Sequence, residues 1–227
     1  MAIQIQGNGG VVAEVDGTTF RAIRVTARPI NYGTLGFYKL GMRSGTMAAA
    51  LAANAELFQF RWADVSNLAV VYYVSISAGA NVAATAAALL TINMACARAW
   101  TGAGTGGTRA VLTGNIAKLR TSMGSSLVND AGISTTAGLT AGTKTIDHAT
   151  SNMSEVAFGI GTGALTTALN LTFLPWTPIF DSDGRGQHPL VLAQNEGFIL
   201  RNGTVAFPAA LTWVFAVHCT WGEVATF

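Results

Sequence analysis

The chain has 227 residues, with 13 Lys or Arg against 11 Asp or Glu and a formal net charge of +2. Only 11% of it is charged, less than half of the roughly 25% usual in soluble domains. Half of it is hydrophobic, which excludes disorder, and three lysines do not supply the concentrated basic face of a nucleic-acid binder.

The first ten residues, MAIQIQGNGG, lack the basic start and long apolar run of a secretory signal, so a cytoplasm-like compartment is expected. Val11–Val15 and Phe20–Thr26 read as strands, with Asp16-Gly17 as the turn signal between them, because Gly tolerates the positive φ of a tight hairpin. Arg28-Pro29 ends the second strand, since Pro lacks the donor N–H. Residues 1–31 therefore read as an arm and hairpin, ahead of a single β-sandwich domain over 32–227. Further strands are expected at Phe37–Met42 and at Phe58–Trp62, where Phe58, Phe60 and Trp62 alternate with Gln59 and Arg61. Met47–Glu56, rich in Ala, is the one helical candidate.

The uncharged stretch Val65–Ala97 raises the question of a membrane span, which wants about 20 predominantly apolar residues. Its Ser, Asn and Thr residues, and the break at Gly79-Ala80-Asn81, favour two strands joined by a turn. In the second strand Leu90, Ile92, Met94 and Cys96 alternate with Thr91, Asn93 and Ala95. Thr101–Thr167 is dense in Gly, Ser and Thr, and is either a set of long surface loops or an insertion that orders on a neighbouring subunit. Strands resume at Val156–Ile160, Leu169–Phe173, Leu190–Ala193 and Phe198–Arg201. At the end Leu211, Trp213, Phe215, Val217, Cys219 and Trp221 alternate with Thr212, Val214, Ala216, His218 and Thr220. Side chains on a strand point to opposite faces in turn, and so long an alternation cannot form a helical stripe. The expected class is all-β: an antiparallel sandwich or barrel with long Gly/Thr-rich loops.

Catalytic, cofactor and metal signals are weak. Gly102, Gly104 and Gly107 satisfy GxGxxG, but the motif needs a strand before it and a helix after it, and no helix start follows. Asp181 and Asp183 hint at an irregular cation loop, yet Arg185 and Leu192 occupy positions where a calcium hand needs oxygen ligands. His148, His188 and His218 lack zinc spacing, and GxSxG is absent. Cys96 and Cys219 fall on apolar strand faces, as buried thiols do. The sequons at Asn152, Asn170 and Asn202 read as chance matches without a secretion signal. No catalytic residue, cofactor, metal, small-molecule substrate, nucleic acid or membrane is therefore expected. Interface candidates are Arg21, Arg24 and Arg28, the only basic cluster, whose guanidinium forks suit protein contacts. The turn residues Asn195 and Glu196 and the outward His218 complete the set. Trp100, Trp176 and Trp221 are the aromatics that a carbohydrate-binding sandwich would use for stacking on sugars, although Trp221 sits on the apolar stripe and is better explained by core packing.

Two blocks carry a family likeness: GGVVAEVDGTTFRAIRVTARPINYGTLGFYKL, from Gly9 to Leu40, and HPLVLAQNEGFILRN, from His188 to Asn202. With LFQFRWAD between them, they resemble virion structural proteins of tailed bacteriophages, in particular capsid decoration (cement) proteins. The resemblance implies a jelly-roll fold, a homotrimer, and the major capsid protein as partner. It also implies a place on the capsid surface of the virion, after assembly in the host cytoplasm. The alternative is a receptor- or carbohydrate-binding module of a phage tail or fibre. Low charge fits either: outward strand faces of Thr, Ala, Asn and Ser let another surface approach without desolvating charges.

Overall fold

Period-two sequence becomes strand in the computed structural model, which describes residues 15–16, 22–23, 34–82, 84, 87–147, 151–160, 173–182 and 188–227. The strands are β1 (Val15–Asp16), β2 (Ala22–Ile23), β3 (Gly36–Arg43), β4 (Glu56–Trp62) and β5 (Leu68–Val82). Then come β6 (Ala88–Gly102), β7 (Thr108–Arg109), β8 (Asp130–Ile133), β9 (Thr143–Ile146) and β10 (Ser154–Ile160). Last are β11 (Phe173–Asp181), β12 (Leu190–Leu192), β13 (Glu196–Asn202) and β14 (Thr212–Val224). The chain divides into two compact units, Met1–Asn31 and Tyr32–Phe227. In the first, β1 and β2 pair antiparallel, with Val15 opposite Ile23.

The second unit is an all-β sandwich of two antiparallel sheets. One has the order β10-β6-β13-β4-β8-β7, with β9 also beside β6; the other has β11-β5-β14-β3, with β12 also beside β5. The C-terminal stripe Leu211, Trp213, Phe215, Val217, Cys219 and Trp221 is buried along its whole length and faces the core. Phe58, Phe60, Trp62, Phe198, Leu200, Leu90, Ile92 and Met94 fill the same core from the other sheet. Phe60 stacks on Phe198 at 5.1 Å and meets Trp221 edge-on at 5.2 Å. Each large side chain so buried contributes about 1.5–3 kcal/mol.

Two expectations are corrected. Met47–Glu56 is not a helix: Met47 bridges to Trp213, and Ala50 and Asn54 have φ of 55° and 56°. Its backbone donors go to distant carbonyls, Ala48 to Thr136, Ala50 to Pro208 and Asn54 to Gly203, in place of a helical ladder. Gly79-Ala80-Asn81 is not a turn either, and β5 runs straight through it. Gly79 pairs with Val214 on one side and Phe173 on the other, so ladders on both sides override the weak strand preference of Gly.

The segment between β6 and β10 lies on the sandwich at two places. Lys39 N–H donates to Ala117 and Leu119 N–H to Phe37, so the segment seals the free edge of β3. Tyr38 Oη donates to the Gly124 carbonyl at 3.1 Å. The buried Glu223 carboxylate accepts from Ser126 Oγ at 2.7 Å and from Leu127 N–H at 3.0 Å. Burial pushes Glu223 above the usual carboxylate range, against these donors, and burial with the nearby Glu223 pushes the Tyr38 phenol up to about 12.

Candidate functional site

The middle of the outer face of the β11-β5-β14-β3 sheet is built from small residues, beside a buried cluster of Val70, Tyr72 and Val224. In register across it, Ala216 of β14 lies between Arg43 of β3 and Ser77 of β5, and His218 lies between Gly41 and Ser75. A Cβ on Gly41 would stand 2.9 Å from His218 Cδ2, so glycine leaves room for the imidazole to lie over β3. At the sheet edge β11 reads Leu174-Pro175-Trp176-Thr177-Pro178, with two prolines of the kind an edge strand tolerates. Its pairing with β5 shifts register between Leu174 and Thr177, and a bulge of this sort re-aims a side chain. Trp176 accordingly crosses above β5 and stacks on His218, with ring centroids 3.9 Å apart and planes within 8°.

Trp176 is still 46% exposed, whereas Trp62, Trp100, Trp213 and Trp221 are buried. A shallow cavity of about 480 Å³ opens beside it, floored by Ser77, Gly79 and Ala216 and bounded by Arg43 and Asn81. Burial, with Lys39 nearby, holds the His218 imidazole below its ordinary value, so it is neutral at pH 7. The arrangement offers a rigid aromatic shelf, a guanidinium and a carboxamide around an uncharged floor. Those are groups for binding, and no nucleophile–base pair lines the cavity.

The outer face of the other sheet is covered. Gln59 and Arg61 of β4, Ala95 and Ala97 of β6 and Ile199 of β13 point outward there, and residues 103–147 pack over them. Lys144 Nζ sits 2.8 Å from Glu56 Oε2 and 4.4 Å from the centroid of the Trp100 ring, with its side chain 1% exposed. Gln59 Nε2 donates to the same carboxylate at 2.6 Å and to the Thr140 carbonyl at 2.7 Å. Arg109 donates to Gln59 Oε1, to Asp130 and to the Gly104 carbonyl. Burial pulls the Lys144 ammonium below its usual range while Glu56 opposes the shift. This network fastens the inserted segment to the sheet.

Of the six interface candidates, the three that are described do not converge on one face. Arg21, Arg24 and Arg28 lie outside the described residues, as do Asp183, Arg185 and His148. Asn195, at φ 60°, forms the β12–β13 turn and accepts the Trp100 N–H at 2.8 Å. Glu196 accepts the Ala193 N–H at 2.8 Å and pairs with Arg98, which also holds Asp147 at 2.7 Å. His218 belongs to the opposite sheet, on the Trp176 shelf. Of the sugar-stacking aromatics, Trp100 is corrected to a buried group, its indole N–H donating to the Gly102 carbonyl, while Trp221 packs in the core as its apolar stripe implies, donating to Glu223. Asp181 closes β11 opposite Tyr73, and no group of three or more metal-type ligands occurs among the described residues.

The GxGxxG glycines serve packing: a Cβ on Gly104 would stand 2.1 Å from the Thr140 carbonyl oxygen, and no helix occurs among the described residues. Burial raises both thiols, that of Cys96 against the nearby Arg98, away from nucleophilic use. The side chain of Asn202 is fully buried and donates to the Ala52 carbonyl, so its sequon is blocked. Arg43 and Asn81 were missed as site residues. The signal for Arg43 was present in Lys39, Gly41 and Arg43 at alternate positions of one strand. No protein-family model, curated protein or solved structure matches the chain.

Proposed function

We propose that the chain is a non-enzymatic structural subunit of a bacteriophage particle, a jelly roll that oligomerises and binds the capsid shell in a decoration role. The observation that carries this reading is the nested order of the sandwich strands. β3 pairs with β14, β4 with β13, β5 with β11 and β6 with β10, so the first strand meets the last and each later strand meets an earlier partner. The contacts of β14 with β5 and of β13 with β6 join those hairpin pairs, and β12, β8, β9 and β7 extend the two sheets further. A long antiparallel hairpin rolled up in this way would give jelly-roll winding, an architecture shared by viral capsid and lectin domains, and the order supports that reading.

The resemblance of Gly9–Leu40 and His188–Asn202 to phage decoration proteins selects between those two uses. The small, charge-poor outer face around Gly41, Ser75, Ser77 and Ala216 supports close contact with another protein, because few charges need desolvation there. A specific contact of this kind buries about 1,000 Å² or more.

Light scattering in line with sizing tests the oligomer; the expected mass is three times 23.5 kDa. Mass-spectrometric copy number in purified virions tests the place in the particle. Hundreds of copies indicate a lattice protein, and a handful would indicate a tail or vertex component. A monomer that fails to co-sediment with particles overturns the proposal.

A further inference from the structure

We propose that the cavity beside Trp176 is a saccharide site that takes a carboxylate-bearing pyranose. Three features of the cavity converge on that class. The first is the indole itself. A tryptophan at the surface of a folded chain normally turns its ring into the core, yet this one keeps 46% of its surface in water. The 8° stack on His218 fixes its plane from behind, so the exposed surface is a preset platform. The electron-rich face of such a ring attracts the weakly positive C–H groups of a sugar ring.

The second feature is Arg43. It lines the cavity from the opposite edge of the sheet and has no hydrogen-bond or ion-pair partner among the described residues. Its five donors in a planar fork match a carboxylate bidentately. The third is what the cavity lacks: no carboxylate is among its lining residues, so nothing there competes for the guanidinium or repels an anionic ligand. Asn81, whose amide donates to Thr46 Oγ1 at 3.3 Å, adds a polar group at the rim suited to hydroxyls. The volume of about 480 Å³ falls within the range of about 300–1,000 Å³ usual for small-ligand sites. The floor of Ser77, Gly79 and Ala216 allows a flat ring to settle without a protruding side chain.

Backbone structure explains why these groups meet. The bulge at Pro175-Trp176 throws the indole inward from β11, and Arg43 stands on β3 opposite Ala216, three strand spacings or roughly 14 Å away. The ligand lies between them across β14 and β5, with its ring toward Trp176 and its carboxylate toward Arg43.

Calorimetric titration of the full chain tests the proposal with two probes: a tetrasaccharide alternating glucose and glucuronic acid, and the all-glucose tetrasaccharide of the same linkage. The expected result is saturable binding of the acidic probe at least tenfold tighter than the neutral one. Trp176→Ala should abolish binding of both, and Arg43→Ala should remove the preference for the acidic probe while leaving the neutral affinity in place. Unchanged thermal unfolding of each variant shows that the fold is intact, and Trp176→Phe, which keeps an aromatic face, should retain part of the affinity. No saturable binding, equal affinity for the two probes, or binding that survives Trp176→Ala overturns the inference. None of these outcomes bears on the virion role, which the copy number decides separately.

Discussion

The two outer faces of the sandwich are made from the same kind of strand and have opposite fates. On the β10-β6-β13-β4 side, outward Gln59, Ala95, Ala97 and Ile199 are as buried as the core, because the inserted segment covers them. On the β11-β5-β14-β3 side, Val70, Tyr72 and Val224 form a small buried cluster at one end, while among the described residues only Trp176 lies across outward Ser77, Ala216 and His218. The difference lies in how polarity is handled. The covered face contains its charges in a closed network of Glu56, Lys144, Gln59, Arg109 and Asp130. The bare face carries Lys39 and Arg43, and Arg43 has no hydrogen-bond or ion-pair partner among the described residues. Covering a face intramolecularly requires its charges to be paired, and the exposed face is under no such requirement.

The largest effect is expected where the covered face is broken electrostatically. Lys144→Ala leaves the Glu56 carboxylate buried without its cation, at a cost of about 3–5 kcal/mol. Removing both charges together, with Glu56→Gln and Lys144→Met, should cost far less, because an uncharged pair no longer needs compensation. Urea unfolding of the two singles and the double gives the coupling directly; additive losses would mean that the pair is not what fastens the segment. Next in size is Gly107→Ala. At φ +65° a Cβ there stands 2.1 Å from the Ile133 carbonyl oxygen and 2.6 Å from Leu139 Cδ2. Backbone strain of this kind costs about 1–3 kcal/mol. Gly106→Ala, at φ +86° in open space, carries strain without the collision, so the gap between their melting temperatures isolates the packing of the inserted segment on β8.

The comparison also shows what a sequence can convey. The inward stripe from Leu211 to Trp221 was legible because its period of two belongs to the strand itself and needs no partner to be seen. Met47–Glu56 misled because Ala content is a local preference, while the chain there is held by carbonyls of Thr136, Pro208 and Gly203, all distant in sequence. Outward residues were legible as outward, but not as covered or bare: Ala95 and Ala216 read alike, and only the tertiary path of residues 103–147 separates them. In sequence Trp176 and Trp100 read alike, and only Trp221 was set apart by its place on an apolar stripe. What distinguishes Trp176 is a bulge on an edge strand, which depends on β5 being its neighbour.

On the bare face the expected effects are smaller. Trp176→Ala removes one aromatic stack, about 0.5–1.5 kcal/mol, and leaves the core untouched. The His218 imidazole in this stack is held below its usual value, so the folded chain favours its neutral form. Its contribution to stability is therefore complete above about pH 6.5 and is lost as pH falls through the lower folded value. His218→Phe keeps a ring under Trp176 and cannot titrate. Between pH 7 and pH 5 the melting temperature of the natural chain should fall more than that of His218→Phe. Parallel slopes would show that the acid sensitivity comes from elsewhere.

The smallest effect belongs to Arg98, on the β6 strand where the covered face meets solvent. Its guanidinium joins Asp147, at 2.7 Å, to Glu196 at the start of β13, and the three form an ion cluster at the surface. Yet the Arg98 side chain is 50% exposed, so water already solvates the charges and salt screens them. The β12–β13 turn has other supports that Arg98→Ala would not touch: Glu196 caps the Ala193 N–H, and the Asn195 carbonyl receives Trp100. Arg98→Ala should accordingly cost no more than about 1 kcal/mol, with the difference fading in 1 M salt. A loss as large as that of Lys144→Ala would mean that the rim, and not the buried pair, secures the inserted segment. Burial rather than the number of charges in contact would then no longer separate the two faces.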